Sequence, residues 1–312
     1  MASSTVGAVE KNLYEQVIDV LNSIFGSHPG YRPVHAKGVL YEGTFRATET
    51  ARSLTRAPHM QGQSVPITVR FSNFIGVPVV RDSDPMASPH GMAIRFQLEG
   101  NASTDIVAHS YNGFPARDAK EFLAFLRALA SSSPDAPKPT PLDTFLSGHP
   151  AAKLFVETPK PAPQSFATTS YYAVDSFRFI NREGRSQFGR YRVVPVAGEQ
   201  YLNDSEAAKR DDNYLFDELA ERLSRHPAEF RLVAQLAGEG DPIEDPTRSW
   251  PEERPQIELG VLAVTKPLAN DKAVQRTIAF DPARLPDGIE PGDPLIEVRS
   301  VIYALSLRRR QR

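Results

Sequence analysis

Cysteine is absent from all 312 residues. Its absence excludes disulfides, thiolate nucleophiles, Fe–S clusters and Cys-type zinc sites. No uncharged apolar run approaches the ~20 residues that a membrane-spanning helix needs. The first residues also lack the basic stretch and apolar core of a secretory signal. Charge of one sign is lacking too. Lys+Arg 36 against Asp+Glu 38 leaves a net charge of −2, so no strong basic field exists to hold nucleic acid or an anionic membrane. These absences predict a cytoplasmic protein with neither nucleic acid nor membrane as partner. What is present, 40% hydrophobic and 24% charged residues, is the balance of an ordinary globular chain.

Residues 9–25 place Leu13, Val17, Ile18, Leu21, Ile24 and Phe25 at helical spacing, ended by Gly26 and Pro29. Strand texture follows at 34–48, 65–74, 92–98 and 105–109, rich in Val, Ile, Phe and Thr. Residues 121–130 return to helix. Eight of the 27 prolines lie within 134–163, a density that predicts a wrapping connection without regular helix or central strand. Strands are predicted again at 170–181, 186–196, 230–236, 257–265 and 275–280, with a hairpin turn at 181–184. Residues 212–224 and 295–307 carry helical spacing.

This pattern predicts an α+β fold dominated by an antiparallel β-barrel of about eight strands. A barrel of that size can hold one ligand in or against its wall. The expected organisation is a single domain: an N-terminal helix at 1–30, barrel halves at 34–130 and 166–281, a Pro-rich wrapping connection at 131–165, and a C-terminal helix at 294–310.

Seven histidines occur, none in a zinc-hydrolase pattern, and no nucleophile elbow, P-loop or dinucleotide fingerprint is present. Three local clusters remain. His35 enters a strand flanked by small residues, where its imidazole either faces a cavity or is a hydrogen-bonded core group. Arg70 stands inside Val69-Arg70-Phe71-Ser72-Asn73; it either meets an anion or faces solvent, because a lone buried guanidinium is costly. Arg299 and Tyr303 fall one turn apart on one helix face. A cation about 4 Å from a phenol favours the phenolate by on the order of 4 kcal/mol before desolvation, at an effective dielectric near 20. A phenolate suits Fe(III). The other reading of Tyr303 is packing.

Together the segments resemble the haem catalase family, specifically its short, arm-less members, the minicatalases or catalase-related peroxidases. Arg32-Pro33-Val34-His35-Ala36-Lys37-Gly38 with Gly43-Thr44-Phe45 is similar to the family's distal-histidine strand, and Val69-Arg70-Phe71-Ser72 to the next. Arg81-Asp82, Gly91-Met92-Ala93-Ile94-Arg95-Phe96, and Asp105-Ile106-Val107 with Phe114 and Arg117-Asp118 follow in order. Phe280-Asp281-Pro282, Gly288-Ile289-Glu290, Arg299-x-x-x-Tyr303, and Arg308 with Arg310 complete the series.

The resemblance implies a catalase-like barrel holding haem b (iron-protoporphyrin IX). Tyr303 would be the iron ligand, kept ionised by Arg299 in the proximal helix. Arg32, Arg70 and Arg310 would meet the propionates, while Phe114 and Phe122 line the distal side and Val34 narrows access. His35, its tautomer set by Ser72, would move the peroxide proton, so that cleavage proceeds through a ferryl intermediate.

Where the family has its distal Asn, this chain has His109, with Asn112 three residues on. Both are candidate catalytic groups, and their arrangement predicts modest catalase activity. The expected function is therefore a haem peroxidase acting on hydrogen peroxide or organic hydroperoxides, with a small organic electron donor and a homo-oligomeric (dimeric or higher) assembly. The alternatives are a true small catalase, a fatty-acid hydroperoxide isomerase of the allene oxide synthase type, and a non-catalytic haem-binding barrel. Of the tail arginines, Arg309 and Arg312 are expected at a solvated end.

Overall fold

The apolar spacing of the first segment does form a helix, α1 (Ser3–Phe25). The structure, a computed structural model, describes residues 3–311, with side chains from residue 13 onward. Arg312 and the first two residues of the expected 1–30 segment lie outside the described residues. The chain continues through β1 (Gly38–Ala47), α2 (Glu49–Leu54), β2 (Ser64–Ser72), β3 (Gly91–Gln97) and β4 (Ser103–His109). Next come α3 (Ala119–Ala130), α4 (Pro141–Gly148), α5 (Pro150–Glu157), β5 (Tyr171–Tyr172), β6 (Phe177–Ile180) and β7 (Ser186–Pro195). The remainder is α6 (Asp204–Ala207), α7 (Tyr214–Leu223), β8 (Ala228–Leu236), β9 (Gln256–Pro267), α8 (Asp271–Thr277), β10 (Ile289–Pro291) and α9 (Leu295–Arg310).

All strand pairs are antiparallel. β1 lies between β2 and β9; β3, β4 and β5 follow from β2, and β8 follows from β9. β7 closes the ring by pairing β8 on one edge and β5 on the other. The result is a closed eight-stranded barrel, with β6 and β10 added beside β7.

Strand alternation divides the side chains. Ile67, Val69 and Phe71 of β2 and Met92, Ile94 and Phe96 of β3 belong to the barrel's packed interior. There Phe71 alone has Tyr41, Phe166, Tyr171 and Phe230 at ring-centroid distances of 5.3 to 6.0 Å. The barrel is thus filled by its own rings, each contributing roughly 1.5–3 kcal/mol on burial. A second cluster joins α1, α3, α4 and α9 through Val17, Ile18, Leu21, Leu123, Leu126, Leu146 and Ile302. A ligand can therefore sit between this helical layer and the outer barrel wall.

Four elements differ from expectation. The Pro-rich stretch holds two helices, because Pro141 and Pro150 stand in the first turn, where a missing N–H costs nothing. A Thr140–Asp143 capping box reinforces the first of them. Residues 275–280 form no strand: 271–277 are α8, and Val274 and Ile278 pack together against Leu40 at helical spacing. The strand expected at 170–181 is split into β5 and β6. The first strand begins at Gly38, so His35 precedes it, in a left-handed backbone conformation with φ 55°.

His35, His59, His90 and His109 are all held at a pKa of about 3, burial being the first cause in each. A histidine lowered from 6.5 is protonated in the unfolded chain before the folded one, so stability falls as pH drops from 6.5 towards 3. Each ring contributes up to about 1.4 kcal/mol per pH unit in that window. His59, whose Nδ1 has no partner beside Phe45 and Phe96, tests this directly. His59→Leu should make the acid loss of stability shallower by about that amount, as read from urea unfolding midpoints at several pH values.

Candidate functional site

The outward-facing residues of β2, β3 and β4 form one wall of a cleft whose other wall is α1, α3 and α9. It has two adjoining compartments. One, about 120 Å³, is lined by Arg32, Val34, His35, Arg70, Ser72, Gly91, Ala93, Tyr303, Ser306 and Arg310. The other, about 570 Å³, is lined mainly by apolar side chains, including Phe25, Phe74, Phe114, Phe122, Phe125 and Phe155, and reaches Arg299. Val34, His35, Val107, Ile302 and Tyr303 face both. The cleft thus unites eleven of the twelve residues singled out in the sequence.

His35 is fixed at its back. Ser72 Oγ lies 3.1 Å from Nδ1, and the His35 carbonyl accepts a bond of 2.9 Å from Arg70. Phe74 meets the ring edge-on at 5.4 Å. The ring also meets the Asn73 backbone, and burial, then the Arg70 and His109 charges, keep it neutral. Gly91 makes room for it, since a Cβ there would stand 2.6 Å from Ser72 Oγ and 2.8 Å from His35 Nδ1.

On the helical wall, Arg299 Nε donates to Tyr303 Oη at 3.0 Å, and its Nη1 is paired with buried Asp175. Burial opposes the Arg299 charge, but Asp175, Tyr303 and Asp293 outweigh it and hold its pKa above the usual guanidinium value. Asp175 and Asp293 are both pushed up by burial, Asp293 to about 7 with the charge of Asp175 adding to it.

Arg32, Arg70 and Arg310 meet at the smaller compartment. Arg32 and Arg310 each donate to the Ile278 carbonyl at 3.0 Å, and Arg70 donates to Gln275 at 2.9 Å. Among the described residues none of the three forms an ion pair, and Arg310 Nε has no hydrogen-bond partner. Burial and the Arg310 charge pull Arg70 down to about 9, and burial pulls Arg310 to about 10. Arg32 is lowered as well, by burial and then by the other two. Three such guanidiniums at one edge of an apolar cleft form a receptor for a ligand with two or more negative charges.

One expectation is corrected. Asn112 does not line the cleft; its amide turns to Glu252 at 3.4 Å, and its carbonyl accepts from Ser249. His109 borders the larger compartment beside Phe155, but both its ring nitrogens are buried with no partner. Arg309, expected at the solvated end, makes a surface ion pair with Asp19 of α1.

Sequence reasoning missed Asp175 and Gln275. Asp175 is an acid inside an apolar stretch, which is itself a signal that a buried cation waits for it. Gln275 was hidden by reading its helix as a strand. Among the described residues, no three His, Asp or Glu side chains converge on a metal position. A planar, anionic, iron-bearing macrocycle is a different kind of ligand. The chemistry present fits one: a phenol backed by a cation, a neutral imidazole, apolar walls and an anion receptor.

Comparison with known proteins agrees. The catalase family profile matches residues 18–311. The chain is 37% identical to a catalase-related peroxidase of Mycolicibacterium paratuberculosis (strain ATCC BAA-968 / K-10), over 95% of this chain and 94% of that one. A catalase-related peroxidase of Synechococcus elongatus is 33% identical, over 96% of this chain and 88% of its own. Among solved structures, a fungal catalase superposes with a TM-score of 0.80 at 22% identity, covering 91% of this chain and 60% of that one. A bacterial catalase gives 0.78 at 24%, covering 91% and 58%.

The crowding at Gly91 yields a test. Gly91→Ala should cost about 1–3 kcal/mol of stability and displace His35 from Ser72. Denaturant midpoints and the imidazole nitrogen NMR shifts of His35 would read the two effects.

Proposed function

This chain belongs to the catalase family, and on that premise we propose that it is a haem peroxidase reducing hydrogen peroxide and organic hydroperoxides. The observation that carries the reading is a single cleft with the neutral His35 on its barrel wall, the Arg299–Tyr303 pair on its helical wall, and three unpaired guanidiniums at its edge. The residues fit haem b: Tyr303 Oη would ligate the iron, and Arg32, Arg70 and Arg310 would take the two propionates. Bound haem supplies an iron to ligate peroxide and the electrons that cleave the O–O bond.

His35 does the proton work. Its Nε2 would accept the proton of one peroxide oxygen and return it to the other, so that water leaves from hydrogen peroxide and an alcohol from an organic hydroperoxide. Ser72 keeps Nδ1 occupied and the ring in one orientation through the transfer. The Arg299 guanidinium offsets the negative charge that the Tyr303 oxygen carries as a ligand, and Asp175 keeps that guanidinium in place. Gly91 lets the imidazole stand close to the strand.

Modest catalase activity follows from Asn112 and His109. With Asn112 turned to Glu252 and the His109 nitrogens sealed away, neither offers a polar contact to orient a second peroxide. The apolar larger compartment suits organic hydroperoxides and small organic electron donors instead. Among the described residues no helix is long and apolar enough to cross a membrane.

The test is an optical spectrum of the haem-reconstituted protein, followed by addition of peroxide with an oxidisable dye. Wild type should oxidise the dye with little oxygen release. His35→Asn, with a side chain that tolerates the left-handed backbone, should keep haem and slow O–O cleavage by roughly 10²–10⁴-fold. Tyr303→Phe should lose the tyrosinate-ligand spectrum. Unchanged cleavage in His35→Asn or an unchanged spectrum in Tyr303→Phe would overturn the assignments. Vigorous oxygen release would make the protein a catalase.

A further inference from the structure

We propose that Gln275 is a positioning residue for the cofactor's carboxylates, keeping Arg32 and Arg70 free of any protein anion. The proposal rests on the reading of the cleft as a haem site. Its basis is the arrangement around α8. Gln275 Oε1 accepts from Arg70 Nε at 2.9 Å and from Arg32 Nη1 at 3.4 Å. Its Nε2 donates to the Gly38 carbonyl at 2.8 Å and to both oxygens of Asp271, at 3.1 and 2.9 Å. Asp271 Oδ1 also accepts the backbone N–H of Leu40 at 2.8 Å.

The amide cannot turn round without placing its NH₂ against two guanidiniums and its oxygen against a carbonyl and a carboxylate. Its orientation is therefore set by four groups at once. A neutral side chain stands between the nearby acid and the arginines. Asp271 holds the amide without touching the cations, and the amide orients the cations without neutralising them. Arg70 needs the close approach as well, since a Cβ on Gly38 would lie 2.5 Å from its guanidinium carbon.

An ordinary buried arginine would be matched by a carboxylate, as Arg299 is by Asp175. Here the matching charge is left to the ligand. A carboxylate in place of the Gln275 amide would satisfy Arg70 from within the protein and compete with the propionate. The variant Gln275→Glu differs from wild type by one heavy atom, which makes charge the main change.

The experiment measures the affinity of the haem-free full chain for iron-protoporphyrin IX and for its dimethyl ester, which lacks the two negative charges. Wild type should prefer the diacid strongly. Gln275→Glu should reduce that preference by about tenfold or more, the value of one charge-assisted hydrogen bond. Gln275→Met, which removes the bonds without adding charge, should reduce it too and serves if the glutamate variant does not fold. A preference unchanged in the folded variants would overturn the proposal, as would equal weakening of both porphyrins, which marks a merely structural role. If wild type binds neither porphyrin, the haem reading itself fails.

Discussion

Closure of the barrel leaves each strand two faces and no free edge, and the site depends on that constraint. Because β2, β3 and β4 must send Phe71, Ile94 and Ile106 inward to fill the barrel, their alternate residues can only face out. Arg70, Ser72, Ala93 and Val107 therefore share one outer wall by register. A slip of one residue would empty the interior of its rings and dismantle the cleft together. Fold and site are held by the same pairing.

The cleft between that wall and the helices is asymmetric in charge. Arg299 is a paired cation, with Asp175 behind it and the Tyr303 oxygen before it. Arg32, Arg70 and Arg310 instead share carbonyls and one amide, and burial, joined at Arg32 and Arg70 by the neighbouring guanidinium charge, lowers their hold on their protons. The cost of burying unpaired charge is several kcal/mol per group in a protein interior. A fold that retains three such groups side by side has the energetics of a site completed by its ligand. The paired arginine belongs to the protein's own architecture; the unpaired three are directed at something outside it.

Much of this was legible in the chain. Helical spacing placed α1, α3, α7 and α9, and the alternation of β8 was plain. Arg70 and Arg299–Tyr303 stood out because charge in an apolar element demands a partner. The differences share a cause: local texture misleads where one position decides the structure. Pro141 and Pro150 start helices because each occupies a first turn. Val274 and Ile278 look β-branched, yet pack on Leu40 at helical spacing. His35 sits in a left-handed conformation that no pattern of residue types announces. Asn112 was in sequence reach of the cleft, but its amide is captured by Glu252, 140 positions away. Contacts across such separations are invisible to a reading along the chain.

The two compartments divide the chemistry between them. At the smaller one the guanidiniums draw negative charge; at the larger one the side chains are mostly rings and aliphatic groups. An amphipathic planar ligand is oriented by that gradient before any specific bond forms, because reversing it would bury its charges among phenyl rings. His35 and Tyr303 stand where the two meet, and on the proposed reading would face the ligand's centre. On the same reading the apolar remainder of the larger compartment would be the approach for substrate. Such a gradient would select twice, fixing the ligand by its charge and admitting reactants by their lack of it.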